Sequence, residues 1–140
     1  MILHFFKYQG CGNDFIIFDN RKGKIHLSKA QVKALCDRHF GIGADGLMLL
    51  ERQNSADFKM VYYNSDGNKS SLCGNGSRCI TVFAQQLGII KNKAHFLAAD
   101  GEHHCVIKGK EVALKMNDVT VIEKHKVCYA THEIARMIKL

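Results

Sequence analysis

Residues 64–88, NSDGNKSSLCGNGSRCITVFAQQLG, decide how the rest of the chain is read. NSDG at 64–67 is a strong turn signal, made of residues that tolerate tight turns or bond their own backbone. A helix is expected to begin near Asn75 and run to Leu87, with Gly88 as its stop. Cys79, Val82, Phe83 and Gln86 or Leu87 fall on one face of it. The chain therefore enters an amphipathic helix through a Gly-Asn-Gly loop that carries a cysteine, Cys73.

Working outward, strand patterns flank this helix on both sides. Upstream, a strand over 2–8 leads to the bend QGCGN, and a Phe- and Ile-rich strand follows over 14–19. NRKGK is a turn. Ser28 and Gln31 form a capping box, so a first helix starts there and carries Val32, Leu35, Cys36 and His39 or Phe40 on one face. Gly41 and Gly43 end it. Strands over 46–51 and 57–63 come next; the second alternates Phe58, Met60 and Tyr62 with its neighbours. Downstream, strands are expected over 94–99, 102–108 and 111–116, with hairpin-like turns at Asp100-Gly101 and Lys108-Gly109-Lys110. A short helix capped by Thr131 is expected over 131–140. Strands with two embedded helices give an α+β domain, a mixed or antiparallel sheet curled around a central helix.

Composition bounds the function. The chain has 140 residues, enough for one domain with a real core. Apolar runs such as 15–18 and 47–50 are only four residues long, far below the roughly 18–20 of a spanning helix. No membrane partner is expected. The N-terminus, MILHFFKYQG, lacks the pattern of a secretory signal. Six cysteines with no CxxC pair and no secretory context point to reduced thiols and a cytoplasmic protein. The net charge of +7 comes from scattered lysines without interleaved aromatics, a solvated basic surface, so no nucleic-acid partner is expected. His103 and His104 are adjacent and face opposite sides of a strand. His26, His39, His95, His125 and His132 lack ligand spacing, and no metal is expected.

The chemistry gathers at Cys73. The first amides of a helix are unpaired and its dipole favours an anion there. A thiolate at Cys73 would be stabilised, with a pKa below the free value of about 8.5. Gly74 and Gly76 let a ligand approach the backbone. A carboxylate held on those amides would put its α-carbon within reach of the thiol. The other reading is a structural cysteine before a glycine-rich cap, and the residues alone leave both open. Cys79, on the buried face, reads as core.

The order GCGNDF, DRHFGIGADG, YYNSDG, LCGNGSRC resembles the N-terminal half of the diaminopimelate epimerases over residues 1–88. The strands from 94 to about 122 resemble the rest of that lobe. The resemblance implies a cofactor-independent epimerase of the lysine route, converting LL-2,6-diaminopimelate to the meso form. Its members have two pseudo-symmetric lobes, each with a cysteine at the start of a central helix. One cysteine takes the α-proton as thiolate and the other delivers one to the opposite face. No pyridoxal-binding signature is present, so the carbanion would rest on preorganised amides in a dry site. Cys73 matches the catalytic cysteine of the N-terminal lobe. Gly74 and Asn75 match residues whose backbone holds the α-carboxylate, and Asn13 and Asn64 match substrate-contacting asparagines. Gly46 stands where some members carry a glutamine that contacts the ligand; other members have glycine there too.

The sequence ends at residue 140, and the family's second lobe, with its own cysteine, is not within it. Residues 1–126 read as the N-terminal lobe. Residues 127–140, with VCYATHEIARMIKL, read as a divergent tail in which Cys128 does not match the missing cysteine. Three functional readings follow. The chain is a half-enzyme completed by a C-terminal lobe; or it forms a homodimer that brings two Cys73 thiols together; or it is a catalytically inactive basic binding module.

Overall fold

A computed structural model of the chain describes residues 2–116, 118, 127–129 and 132–135. Strand β1 (Phe6–Gly10) turns back into β2 (Asn13–Asp19) through Cys11 and Gly12, both at positive φ (55° and 83°). Two consecutive left-handed residues make the two-residue turn whose twist matches a hairpin. Helix α1 (Lys29–Cys36) follows, and the Ser28/Gln31 capping box forms with both reciprocal bonds in place. It ends earlier than its apolar pattern suggests. Asp37 caps it by accepting from the amides of His39 and Phe40, so those two residues leave the helix and Phe40 is 96% exposed. The expected packing of His39 or Phe40 on the buried face is therefore corrected.

Strand β3 (Gly46–Glu51) runs parallel to β2, and β4 (Phe58–Asn64) runs antiparallel to β3. A two-residue strand β5 (Lys69–Ser70), too short to signal itself in the sequence, pairs with β4. Then come α2 (Gly74–Gln86), β6 (Lys93–Ala98) parallel to β4, and the antiparallel strands β7 (Gly101–Lys108) and β8 (Glu111–Lys115). The sheet order is β1-β2-β3-β4-β6-β7-β8, with β5 on the side of β4. Each parallel pair needs a crossover, and α1 and α2 lie in those crossovers. Helix α2 touches β1 and β8, the two ends of that order, as well as β2, β3 and β7. The sheet is thus curled around α2, as the α+β reading expects.

Both faces of the central strands are covered. Phe15, Ile17, Met48, Leu50 and Met60 point inward to Cys79, Ile80, Phe83 and Ala84 of α2. Ile16, Phe18, Leu47 and Leu49 point outward to Val32 and Cys36 of α1. Period-two side chains with two buried faces produce continuous apolar runs, which is why 15–18 and 47–50 do not alternate. Because α2 is enclosed, its burial is not a stripe: Ser77, Ile80, Thr81 and Ala84 are buried along with Cys79 and Phe83, while Gln86 is exposed. No helix among the described residues is long and apolar enough to cross a membrane. In the tail, β9 (Val127–Tyr129) and β10 (His132–Ala135) pair antiparallel. The expected helix over 131–140 is corrected at 132–135 by this pairing; the rest of that stretch lies outside the described residues.

Candidate active site at the start of helix α2

Cys73 is the N-cap of α2. Its backbone is extended (φ −128°, ψ 119°), and its Sγ accepts from the Gly76 amide at 3.5 Å. A sulfur in the capping position bonds the third helical residue just as a serine hydroxyl would. Gly74 and Asn75 are the first two helical residues, and their amides have no partner among the described residues. The helix therefore starts one residue earlier than the sequence suggests, because the cysteine itself caps it.

The glycines differ in purpose. A Cβ on Gly76 would lie 3.2 Å from Met48 Sδ, so this glycine lets the first turn of α2 settle on β3. At Gly74 the nearest neighbour would be Leu114 Cδ2 at 3.9 Å, so that position is open. Gly46 is closed: a Cβ there would meet Tyr62 Cε2 at 2.6 Å and the Tyr63 carbonyl oxygen at 2.8 Å. A side chain cannot enter at this point unless β4 moves.

Asn13 faces Cys73 from the far side of the β1–β2 turn. The Cys73 thiol donates to Asn13 Oδ1 at 3.5 Å, and Asn75 Nδ2 donates to the same oxygen at 3.4 Å. Asn13 Nδ2 donates to Asp45 Oδ2 at 2.7 Å. An ionised carboxylate can only accept, so Asp45 fixes the Asn13 amide with its oxygen toward the sulfur. The bond from Asn13 is also the main reason the Asp45 carboxyl is held below the usual carboxylate range. Arg38 then ties Asp45 (2.9 Å) to Asp14 (2.8 and 3.2 Å), and Lys7 lies 2.9 Å from Asp14. The Arg38 guanidinium holds the Asp14 carboxyl well below its ordinary range. Three segments distant in sequence, 13–14, 38–45 and 73–75, thus converge on one sulfur. The motif DRHFGIGADG contains Arg38 and Asp45, but sequence reading assigns neither a role, because nothing in the segment says which other segment it meets.

Tyr62 is a further neighbour that the sequence does not single out. Burial, with the Cys73 sulfur as a second contribution, pushes its hydroxyl up to about 12, so it stays protonated beside the site. Arg78, half-buried one turn into α2, donates to the Asn75 side chain. Asn64 stands apart. Its backbone pairs with Gly46, which pairs in turn with Phe15, so it lies in a sheet row two residues along from Asn13, and its side chain bonds none of the other candidates among the described residues. Cys79 is buried, and burial pushes its thiol up to about 11. That is core chemistry, as its position on the helix suggested.

The family model described as diaminopimelate epimerase matches residues 5–122. The diaminopimelate epimerase of Flavobacterium psychrophilum is 55% identical over 122 residues, covering 86% of this chain and 48% of that protein. That of Chlorobaculum tepidum is 47% identical over 104 residues, covering 73% and 40%. The chain spans about half the length of the curated relatives it matches. Among solved structures, a hydroxyproline epimerase from Agrobacterium vitis superposes with a TM-score of 0.61 at 15% identity, over 80% of this chain and 40% of that one. A methylitaconate Δ-isomerase gives 0.58 at 12%, over 80% and 62%. At such identities these two show the fold alone. With more than four-fifths of its residues matched by the family model and a relative more than half identical to it, the chain belongs to the diaminopimelate epimerase family.

Proposed function

We infer that the chain is one lobe of a cofactor-independent diaminopimelate epimerase, acting in the cytoplasm on the lysine route, and that Cys73 is its catalytic thiol. The observation that carries this reading is the N-cap itself. Cys73 Sγ faces one donor, the Gly76 amide, and one acceptor, Asn13 Oδ1. A group that removes a proton in one direction and returns it in the other needs both. The free amides of Gly74 and Asn75 sit beside it, at the positive end of a 13-residue helix. They suit the substrate's α-carboxylate, and the negative charge that spreads onto that carboxylate when the α-proton leaves. Asn13 and Asn75 then act at the substrate, and Asn64 is assigned to it from a row two residues along the sheet. Arg38 and Asp45 are positioning residues, acting through Asn13.

Inversion needs a second proton carrier on the opposite face of the α-carbon. We assign it to a second lobe, with residues 127–140 as a divergent segment after the first lobe. The test uses the reduced chain and LL-diaminopimelate in deuterium oxide, with and without a separately produced C-terminal lobe of a family member. With both lobes, α-deuterium uptake and formation of the meso isomer are expected, and Cys73→Ala abolishes both. The chain alone is expected to give no meso product. Inversion that persists in Cys73→Ala overturns the assignment. Inversion by the chain alone that vanishes on dilution and in Cys73→Ala replaces the second lobe with a second copy.

A further inference from the structure

The β6–β7 hairpin sets His95 directly opposite His104 and brings Glu102, two residues before His104, onto the same face of the sheet. The alternation on both strands turns this face away from the core: Ala94, Phe96, His103 and Cys105 are buried, while Glu102 and His104 are exposed and His95 is half-buried. The two imidazoles lie face to face, with ring centroids 4.7 Å apart and planes 12° from parallel. One ligating atom from each of His95, Glu102 and His104 lies within 4.8 Å of the others. His95 Nε2 is buried and takes no hydrogen bond, although the Glu102 carboxylate is 3.4 Å away. The nitrogen thus lies at ion-pair distance from the carboxylate but makes no well-aligned hydrogen bond with it, which leaves its lone pair free for another partner.

We propose that His95, Glu102 and His104 form a binding site for a divalent transition-metal ion of the zinc class. Two imidazoles and one carboxylate are a borderline donor set that suits zinc better than calcium or magnesium, which prefer oxygen alone. The backbone register holds both rings on one side of the sheet, and the stacked imidazoles would turn about their side-chain bonds to bring one nitrogen of each to about 2.0–2.1 Å from the ion. Three protein ligands leave a fourth position for water or another donor. The site uses none of the residues around Cys73. Linear spacing hid it: positions 95, 102 and 104 match no helical or loop ligand pattern, and only the strand register makes them neighbours. The expectation of no metal rested on that spacing.

The test is zinc chloride added to the full chain in competition with a weak chromogenic chelator, with cobalt chloride as a spectroscopic probe. To keep thiols from answering for the histidines, the measurement is repeated in a Cys11→Ser/Cys73→Ser/Cys128→Ser variant, since Cys11 and Cys73 are the two cysteines not buried among the described residues and Cys128 is the sixth of the chain. One zinc per chain is expected in both proteins, and the cobalt form shows visible ligand-field bands without a thiolate charge-transfer band. His104→Ala and Glu102→Gln, both at exposed positions, should keep the metal-free melting temperature and weaken binding by about 10–100-fold or more. No stoichiometric binding, or binding that survives His104→Ala and is lost with the three cysteines, overturns the proposal.

Discussion

Cys73 and Cys79 are separated by six residues of one helix, and their surroundings have almost nothing in common. Cys73 caps the first turn, half-buried, with one polar partner from the start of β2, Asn13, which Asp45 of the loop after α1 holds in place, and one from its own helix, the Gly76 amide. Cys79 is enclosed one and a half turns later by the aromatic cluster in which Phe83 packs on Phe6 and Tyr8. The same element presents amides without partners among the described residues at one end and fully enclosed side chains further along. The function proposed for this site would depend on a helix end being held at the rim of a sheet while the remainder of the helix is locked inside it.

Four experiments test that contrast, in descending order of expected effect. Cys73→Ala should remove α-proton exchange in the completed enzyme by at least ~10³-fold, while Cys79→Ala should keep exchange and cost about 1 kcal/mol of stability. Loss of exchange in a folded Cys79→Ala protein would dissolve the distinction. Phe83→Ala should destabilise the chain by about 3–5 kcal/mol in urea unfolding, because Phe83 is wholly buried and its removal opens a cavity beside Cys79. A cost near zero would mean that the deep half of α2 is not the anchor. Alkylation followed by peptide mass spectrometry should label Cys73 in the native protein and spare Cys79 up to about pH 10. At neutral pH a thiol pushed up to about 11 is almost entirely protonated, and this one is also shielded from reagent.

The smallest effect concerns the polar side of the comparison. The Asp14 and Asp45 carboxyls are held low by Arg38 and Asn13, respectively, as the main causes. A carboxyl with a lowered folded-state pKa contributes stability that is present above its unfolded value of about 3.9 and lost as pH falls toward the folded value. The urea midpoint should therefore fall below about pH 4, and Asp14→Asn should flatten that acid limb while leaving the midpoint at pH 8 lower than in the parent. An unchanged acid limb would mean that solvent screens the network. Because Arg38 and Asp45 are exposed, the effect should also shrink in high salt.

Local physics was legible in the sequence wherever it was written in adjacent residues. The Ser28/Gln31 box, the NSDG turn, the two C-terminal hairpins and the helix beginning at the Gly-Asn-Gly loop all depend on contacts within a few positions. What stayed hidden depends on register. Asn13, Arg38 and Asp45 meet only because β2 and β3 run parallel, and His95 meets His104 only because β6 and β7 pair as they do. The burial of Ile80 and Thr81 was hidden for a related reason: an apolar stripe predicts one covered face, and a helix inside a curled sheet has more than one. Phe40 went the other way, since an apolar residue at helical spacing counts for nothing once Asp37 has ended the helix.

The order of strands leaves β1 and β8 each with one side unpaired among the described residues. An unpaired strand edge is a template for any other chain in an extended conformation, including a second molecule of the same protein. On β8 the exposed positions are Glu111, Ala113 and Lys115, and β1 carries Lys7 at its exposed edge. Buried charge is what a growing fibril tolerates least, so Glu111 and Lys115 would disfavour strand addition at β8. Replacing Glu111 and Lys115 with threonine is therefore expected to favour strand-to-strand association without touching the core or the thiol.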